Sequence, residues 1–189
     1  DLIEDFGYVA PTHAVAALCQ RVPDRSTPIL DMGCGTGLVG TQLAAEGYLE
    51  IDGMDLSPEM LARARALEIY RQLKECDLSE DIELSPIYGA ILCIGVFSHK
   101  PQQPFDLAKL FHGLLPGGLL IATVNGRGWR ELAWPDLLRQ SARKNSFTVE
   151  KIIDIPYLVK QNINGKLLIL RSCIPAPSCG VFPERLKHS

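Results

Sequence analysis

Residues 29–40 read Ile-Leu-Asp-Met-Gly-Cys-Gly-Thr-Gly-Leu-Val-Gly. An apolar run carrying Asp31 stops at a loop with Gly33, Gly35 and Gly37, and a helical pattern starts directly behind it. Strand, backbone-exposing turn and helix N-terminus in one stretch is how an open α/β sheet presents a ligand site. The acid ahead of the glycines also constrains the ligand. A diphosphate on this loop meets a nearby carboxylate as repulsion, whereas a ligand with a positive end is attracted by it.

The rest of the chain repeats the alternation. Residues 11–21 read as a helix, 29–32 as a strand, 38–45 as a helix and 51–55 as a strand. Ser57 and Pro58 mark a helix start, with Glu59 beside the positive dipole end. Residues 73–75 form a short strand, and 88–97 a nearly continuous apolar one, as in a central parallel strand buried on both faces. Leu107, Ala108, Phe111, Leu114 and Leu115 share a helical face that Pro116-Gly117-Gly118 ends. Strand 119–124 and a weaker helix at 129–144, bent or restarted at Pro135, follow. Residues 149–155 and 166–172 read as strands, with Asn164-Gly165 as a tight-turn signal before the second. The expected fold is a doubly wound, Rossmann-like, mostly parallel α/β sheet with an antiparallel C-terminal hairpin. One domain over residues 1–173 and an irregular tail over 174–189, punctuated by Pro175, Pro177 and Pro183, complete the expected organisation.

Composition narrows the function classes. A net charge of -3 gives no general basic field for nucleic acid or anionic membrane. The apolar runs fall far short of the ~20 residues of a membrane span. No secretory signal opens the chain. The six cysteines form no C-x-x-C pair and the four histidines no zinc spacing, so no metal is expected. Reduced thiols and a cytoplasmic location are the expectation.

Gly35 to Gly40 matches G-x-G-x-x-G literally, and Asp55 lies 20 residues past Gly35, as a dinucleotide fingerprint asks. An NAD(P)-dependent oxidoreductase is therefore one alternative. Against it, the glycines begin early, at Gly33, Asp31 precedes them, and the loop has no Lys or Arg.

The stretch Leu30-Asp31-Met32-Gly33-Cys34-Gly35-Thr36-Gly37 resembles motif I of class I S-adenosylmethionine-dependent methyltransferases. Residues Asp55-Leu56-Ser57-Pro58-Glu59-Met60-Leu61 resemble their second motif, Cys76-Asp77-Leu78 the third, and Leu115-Pro116-Gly117-Gly118-Leu119 the turn before strand five. The four stand in family order with family spacing, and the resemblance covers about residues 6–172. Within the class, the chain is similar to small methyltransferase domains of type 11/25. The tetratricopeptide-associated and Williams-Beuren-region methyltransferase-like proteins are of this kind.

The resemblance implies a seven-stranded sheet and binding of S-adenosylmethionine, with S-adenosylhomocysteine as product. Gly33, Gly35 and Gly37 would admit the methionyl part of the cofactor, because a Cβ would block the approach or the required φ, and Cys34 between them would also border the cofactor. Asp31 would accept from the ammonium, directly or through water. Asp55 would take both ribose hydroxyls. Leu56 and Met60 would lie on the adenine face, with core packing as the equal alternative. Asp77 would accept from the adenine amine and Leu78 would offer its N–H. Ile94, Gly95 and Val96 would border the methyl. Tyr8 would belong to a covering segment.

His99 is the candidate base, beside the reading of a surface histidine. Trp129 and Trp134 are candidates for an aromatic wall around an acceptor, beside ordinary packing. An Asn-Pro-Pro-Tyr-type motif is absent after strand four, where the chain reads Ile94-Gly95-Val96-Phe97-Ser98-His99. The expected partner is a small-molecule acceptor, without nucleic acid or membrane, on a monomer or homodimer. A non-catalytic cofactor-binding protein is the second alternative.

Overall fold

The computed structural model describes residues 7–80, 82–85, 87–98, 107–142 and 147–173. His99 and the tail at 174–189 lie outside the described residues. Seven strands form one sheet: β1 (Ile29–Met32), β2 (Ile51–Asp55), β3 (Gln72–Glu75), β4 (Tyr88–Cys93), β5 (Leu114–Asn125), β6 (Phe147–Leu158) and β7 (Ile163–Ser172). Their order is β3-β2-β1-β4-β5-β7-β6. The first five run parallel, and β7 lies antiparallel between β5 and β6.

Alternation along each strand sends neighbouring side chains to opposite faces. Ile29, Ala90, Leu92, Ile121 and Ile169 face α1 (Ala10–Cys19) and α2 (Leu38–Ala45). Leu30, Ile91, Cys93, Leu120 and Leu168 face Phe111 of α4 (Ala108–Phe111) and Trp134 and Leu138 of α6 (Trp134–Ala142). Two cores therefore sandwich one sheet, and each buried Leu or Ile contributes about 1.5–3 kcal/mol. The chain builds β1, β2 and β3 outward in one direction, then crosses to β4 on the other side of β1. The crevice at the carboxyl ends of β1 and β4 is thus the switch point where such sheets bind ligands.

Local chemistry explains the boundaries. α3 (Pro58–Arg65) begins as expected: the Ser57 hydroxyl accepts from the Met60 N–H at 3.3 Å, Pro58 stands in the first turn and Glu59 follows. β4 ends at Cys93, earlier than its apolar run suggests. Gly95 takes a left-handed φ of 83° and donates its N–H to Thr123 Oγ1 at 3.1 Å, which turns the chain out of the sheet into a 3-10 turn over Val96–Ser98.

Leu114 and Leu115, expected on a helix, open β5 instead, because Leu114 pairs with Tyr88 across a register shift. The helix expected over 129–144 is two helices, α5 (Gly126–Glu131) and α6. They are divided at Ala133, whose φ is 46°, one residue before α6 begins and two before Pro135. The turn between β6 and β7 is at Val159–Gln161 and Asn162, whose φ is 53°. Asn164 and Gly165 lie inside β7, opposite Pro156 and Ile155. A Cβ on Gly165 would stand 2.6 Å from Tyr157 Cδ2 and 2.7 Å from the Val124 carbonyl oxygen. This glycine serves close strand approach rather than a turn.

Candidate functional site

A cleft of about 1230 Å³ opens at the switch point. One half is lined by Gly33, Cys34, Gly35, Gly37, Asp55, Leu56, Asp77 and Leu78, from the ends of β1, β2 and β3. The other half is lined by Tyr8, Ile94, Gly95, Val96, Asn125 and Tyr157, from the ends of β4, β5 and β6 and the segment before α1.

The loop after β1 is held from within. Gly33 and Cys34 both donate their N–H to the Met54 carbonyl, at 2.7 and 2.9 Å, and Gly37 donates to the Cys34 carbonyl at 2.9 Å. Gly35 donates to Asp55 Oδ2 at 2.8 Å. A phosphate cradle needs unspent N–H groups, and four in this loop are already spent. Arg63 lines the cleft but pairs with Glu59 at 2.7 Å. The glycines keep distinct roles: a Cβ at Gly33 would overlap Val96 Cγ2, whereas a Cβ at Gly35 would meet nothing within 4 Å.

Asp55 is fixed at both oxygens, since its Oδ1 accepts from the Ser57 N–H at 2.9 Å and its Oδ2 from Gly35. The second lone pair of each oxygen is left for a donor in the cleft. Asp77 Oδ1 accepts both the N–H and the hydroxyl of Ser79, at 2.8 and 2.7 Å, which lowers its pKa below the ordinary value. Burial raises the Cys34 thiol to about 12, with Asp31 and Asp55 adding repulsion, so this sulfur stays protonated.

Asp31 is 1% exposed and does not line the cleft surface. Its Oδ2 accepts from the Tyr70 hydroxyl at 2.7 Å, and its Oδ1 is buried without a hydrogen-bond partner of normal geometry among the described residues, although the Gly40 N–H lies near the carboxyl. Burial raises its pKa to about 7; the Tyr70 hydroxyl and the Gly40 N–H pull it down, and Asp55 pushes it up.

In the second half, the Tyr8 ring lies 5.3 Å from that of Tyr157, tilted by 57°. The Tyr8 hydroxyl is buried without a hydrogen-bond partner of normal geometry, although Tyr157 and Thr123 lie near it. A Cβ on Gly95 would come within 2.8 Å of that hydroxyl, so the glycine admits the phenol. Burial raises the Tyr8 phenol well above its ordinary range, and it remains a donor.

Of the residues expected from sequence, Tyr8, Gly33, Cys34, Gly35, Gly37, Asp55, Leu56, Asp77, Leu78, Ile94 and Gly95 meet at this cleft. Met60, 37% exposed, is absent from its lining. Trp134 is 3% exposed and packs edge-on to Phe97 at 5.2 Å, inside the core under β4 and β5. Trp129 packs partly buried against the same core beneath the Lys166 ammonium. Neither indole forms an acceptor wall, because α5 and α6 pack against the sheet face instead of over the strand ends. Tyr70, Tyr157 and Asn125 were not legible as site residues. Each reaches the site by tertiary packing, and none belongs to a local motif.

A switch-point cleft with an acid-lined glycine loop and little phosphate-binding capacity stands on a sheet with the strand order β3-β2-β1-β4-β5-β7-β6, the fold of the methyltransferase structures it resembles. The unpartnered Asp31 oxygen, the open space over Gly35 and the Asp55 carboxylate fit a cationic nucleoside. Comparison with known proteins agrees. Residues 29–118 match the family described as methyltransferase domain.

Human methyltransferase-like protein 27 is 40% identical over 121 residues, which covers 62% of this chain and 49% of that protein. The ubiquinone biosynthesis O-methyltransferase of Xylella fastidiosa is 33% identical over 114 residues, 57% of this chain and 46% of that protein. The chain thus spans about half the length of the curated relatives it matches. The magnesium protoporphyrin IX methyltransferase of Synechocystis, solved with S-adenosylhomocysteine bound, superposes with a TM-score of 0.66 at 17% identity, over 86% of this chain and 81% of that one. At that identity the match speaks for the fold alone.

Proposed function

We propose that this domain binds S-adenosylmethionine in the half of the cleft under β1–β3 and transfers its methyl group to a small-molecule acceptor in the half under β4–β6. The observation that carries this reading is the pairing of a buried, half-unpartnered carboxylate at Asp31 with a glycine loop whose N–H groups are spent. That pairing suits an ammonium and sulfonium, and repels a dinucleotide's phosphates.

When bound, S-adenosylmethionine supplies a methyl group already activated for in-line displacement. The chain's own task is to hold the reactants and exclude water, an effect worth several kcal/mol. Asp55 would fix the ribose, and Leu56, Asp77 and Leu78 the base. Gly95 and Val96 would shape the space at the methyl, with Tyr8 closing over it. Tyr8, Tyr157 and Asn125 offer phenol and amide groups beside the apolar Ile94 and Val96. An acceptor with a hydroxyl on an apolar frame fits this chemistry, and the O-methyltransferase relative supports it. For an acceptor that must lose a proton, His99 is our assignment for the base.

The five described cysteines are free thiols, and no described helix is long and apolar enough to cross a membrane. The acidic balance and these features support a domain that works on small molecules in a reducing compartment, the cytoplasm.

Calorimetry with S-adenosylmethionine, S-adenosylhomocysteine and NAD(P) tests the cofactor. Micromolar binding of the first two and none of the third is expected; the reverse pattern would return the oxidoreductase reading. Labelled-methyl turnover on a panel of hydroxylated small molecules tests the acceptor. Tight cofactor binding without turnover on any would favour a non-catalytic binding protein.

A further inference from the structure

Tyr70 stands between α3 and β3, 39 residues from Asp31, and belongs to none of the methyltransferase motifs. Its ring nevertheless lies under the centre of the cofactor loop. A Cβ at Gly40 would overlap the Tyr70 hydroxyl and ring, a Cβ at Gly53 would reach 3.0 Å from Tyr70 Cε1, and one at Gly37 would reach 3.4 Å from Cε2. Two glycines, from the first turn of α2 and the middle of β2, make room for one phenol, and the Gly37 position lies in ordinary contact with it. That phenol ends on Asp31 Oδ2 at 2.7 Å and leaves Oδ1 as the unpartnered oxygen.

We propose that Tyr70 is a positioning residue of the cofactor pocket: its phenol wedges β1, α2 and β2 together and holds the Asp31 carboxylate as a buried negative charge beneath the pocket that attracts the cofactor's ammonium end. The inference rests on the S-adenosylmethionine reading for the ligand. The Tyr70–Asp31 coupling itself does not need the ligand.

The electrostatics follow from the groups around Asp31. Tyr70 faces it from the segment before β3, Asp55 from β2, Cys34 from the loop, Cys93 from β4 and Tyr8 from the segment before α1. The phenols and thiols in this set are all raised by burial and stay protonated. Tyr70 is therefore a permanent donor, and Asp55 adds like charge against Asp31. With the Asp31 carboxyl raised to about 7 by burial, the Tyr70 phenol is the larger of the two donors, ahead of the Gly40 N–H, that favour its charged form at neutral pH.

The experiment replaces Tyr70 by Phe, which keeps the ring that fills the glycine pocket. The Asp31 carboxyl carbon is titrated by NMR in the ligand-free protein and assigned with Asp31→Asn. A midpoint displaced upward by about 1–2 pH units in Tyr70→Phe is expected, the size of a hydrogen bond to a charged group. Calorimetry then follows S-adenosylmethionine affinity across pH. Affinity should rise with pH through the Asp31 midpoint in the parent, through the displaced midpoint in Tyr70→Phe, and not at all in Asp31→Asn or the double variant.

Equal NMR midpoints in a folded Tyr70→Phe protein would overturn the proposal. So would an affinity profile of Tyr70→Phe that follows the parent's. A displaced midpoint with no S-adenosylmethionine binding by the parent at any pH would confirm the coupling, refute its role in attracting this ligand, and bring down the functional reading.

Discussion

At the scale of single residues, the site is made by side chains that fix backbone as well as face a ligand. Asp55 joins the loop after β1 to the cap of α3, through the Gly35 and Ser57 N–H groups. Asp55→Ala frees both donors and removes the partner we propose for the ribose. S-adenosylmethionine affinity should fall by about 1–3 kcal/mol, read by calorimetry, and an unchanged affinity would place Asp55 outside the site. Asp55 and the glycines were legible in sequence because their signals are local: an acid at a strand end, and small residues at a tight turn. Tyr70 was not, since its meaning comes from meeting Asp31 and two glycines, Gly40 and Gly53, that the fold brings to it. Asp31 was read as an acid near the cofactor, but its burial beneath the loop depends on the same packing.

At the scale of elements, the first five strands could be read from their apolar runs, and the antiparallel pair only in outline. The Asn164-Gly165 turn signal failed because glycine also marks places where backbones come close. In β7 it admits the Tyr157 ring and the Val124 carbonyl. Gly165→Ala sets a Cβ against a backbone oxygen that cannot step aside. It should cost about 1–3 kcal/mol of stability, measured by chemical denaturation. Weakened cofactor-cleft geometry should accompany the loss, since Tyr157 lines the acceptor half. Similarly, Leu114 and Leu115 fit a helical face in sequence, yet pairing with Tyr88 decided for strand. Periodicity in a short apolar run does not distinguish the two.

At the scale of the whole molecule, the buried Asp31 couples stability to pH. Its folded pKa of about 7 lies above the ordinary carboxylate range near 4, and burial is the main cause. The folded state therefore holds a proton that the unfolded chain releases. Asp31's contribution is most favourable below about pH 4, declines as pH rises to about 7, and is flat beyond. The cost of ionising it in the fold is on the order of 3–4 kcal/mol. The difference in unfolding free energy between the parent and Asp31→Asn should change by an amount of this order between pH 4 and 7. A pH-independent difference would mean that Asp31 ionises as freely in the fold as out of it.

The segment before α1 is tied to the far edge of the sheet. Tyr8 bridges to Leu158, the Val9 N–H donates to the Tyr157 carbonyl, and the Val159 N–H donates to the Gly7 carbonyl. The wall of the acceptor half thus joins chain positions about 150 residues apart. During synthesis the glycine loop and Asp55 precede β6, and Tyr8 can meet Gly95 and Thr123 before its partners Tyr157 and Leu158 have been made. A nascent chain stalled before residue 147 should carry the glycine loop, Asp55 and Asp77 and still lack the Tyr157 and Leu158 partners of Tyr8, so completion of the last hairpin closes this wall of the cleft.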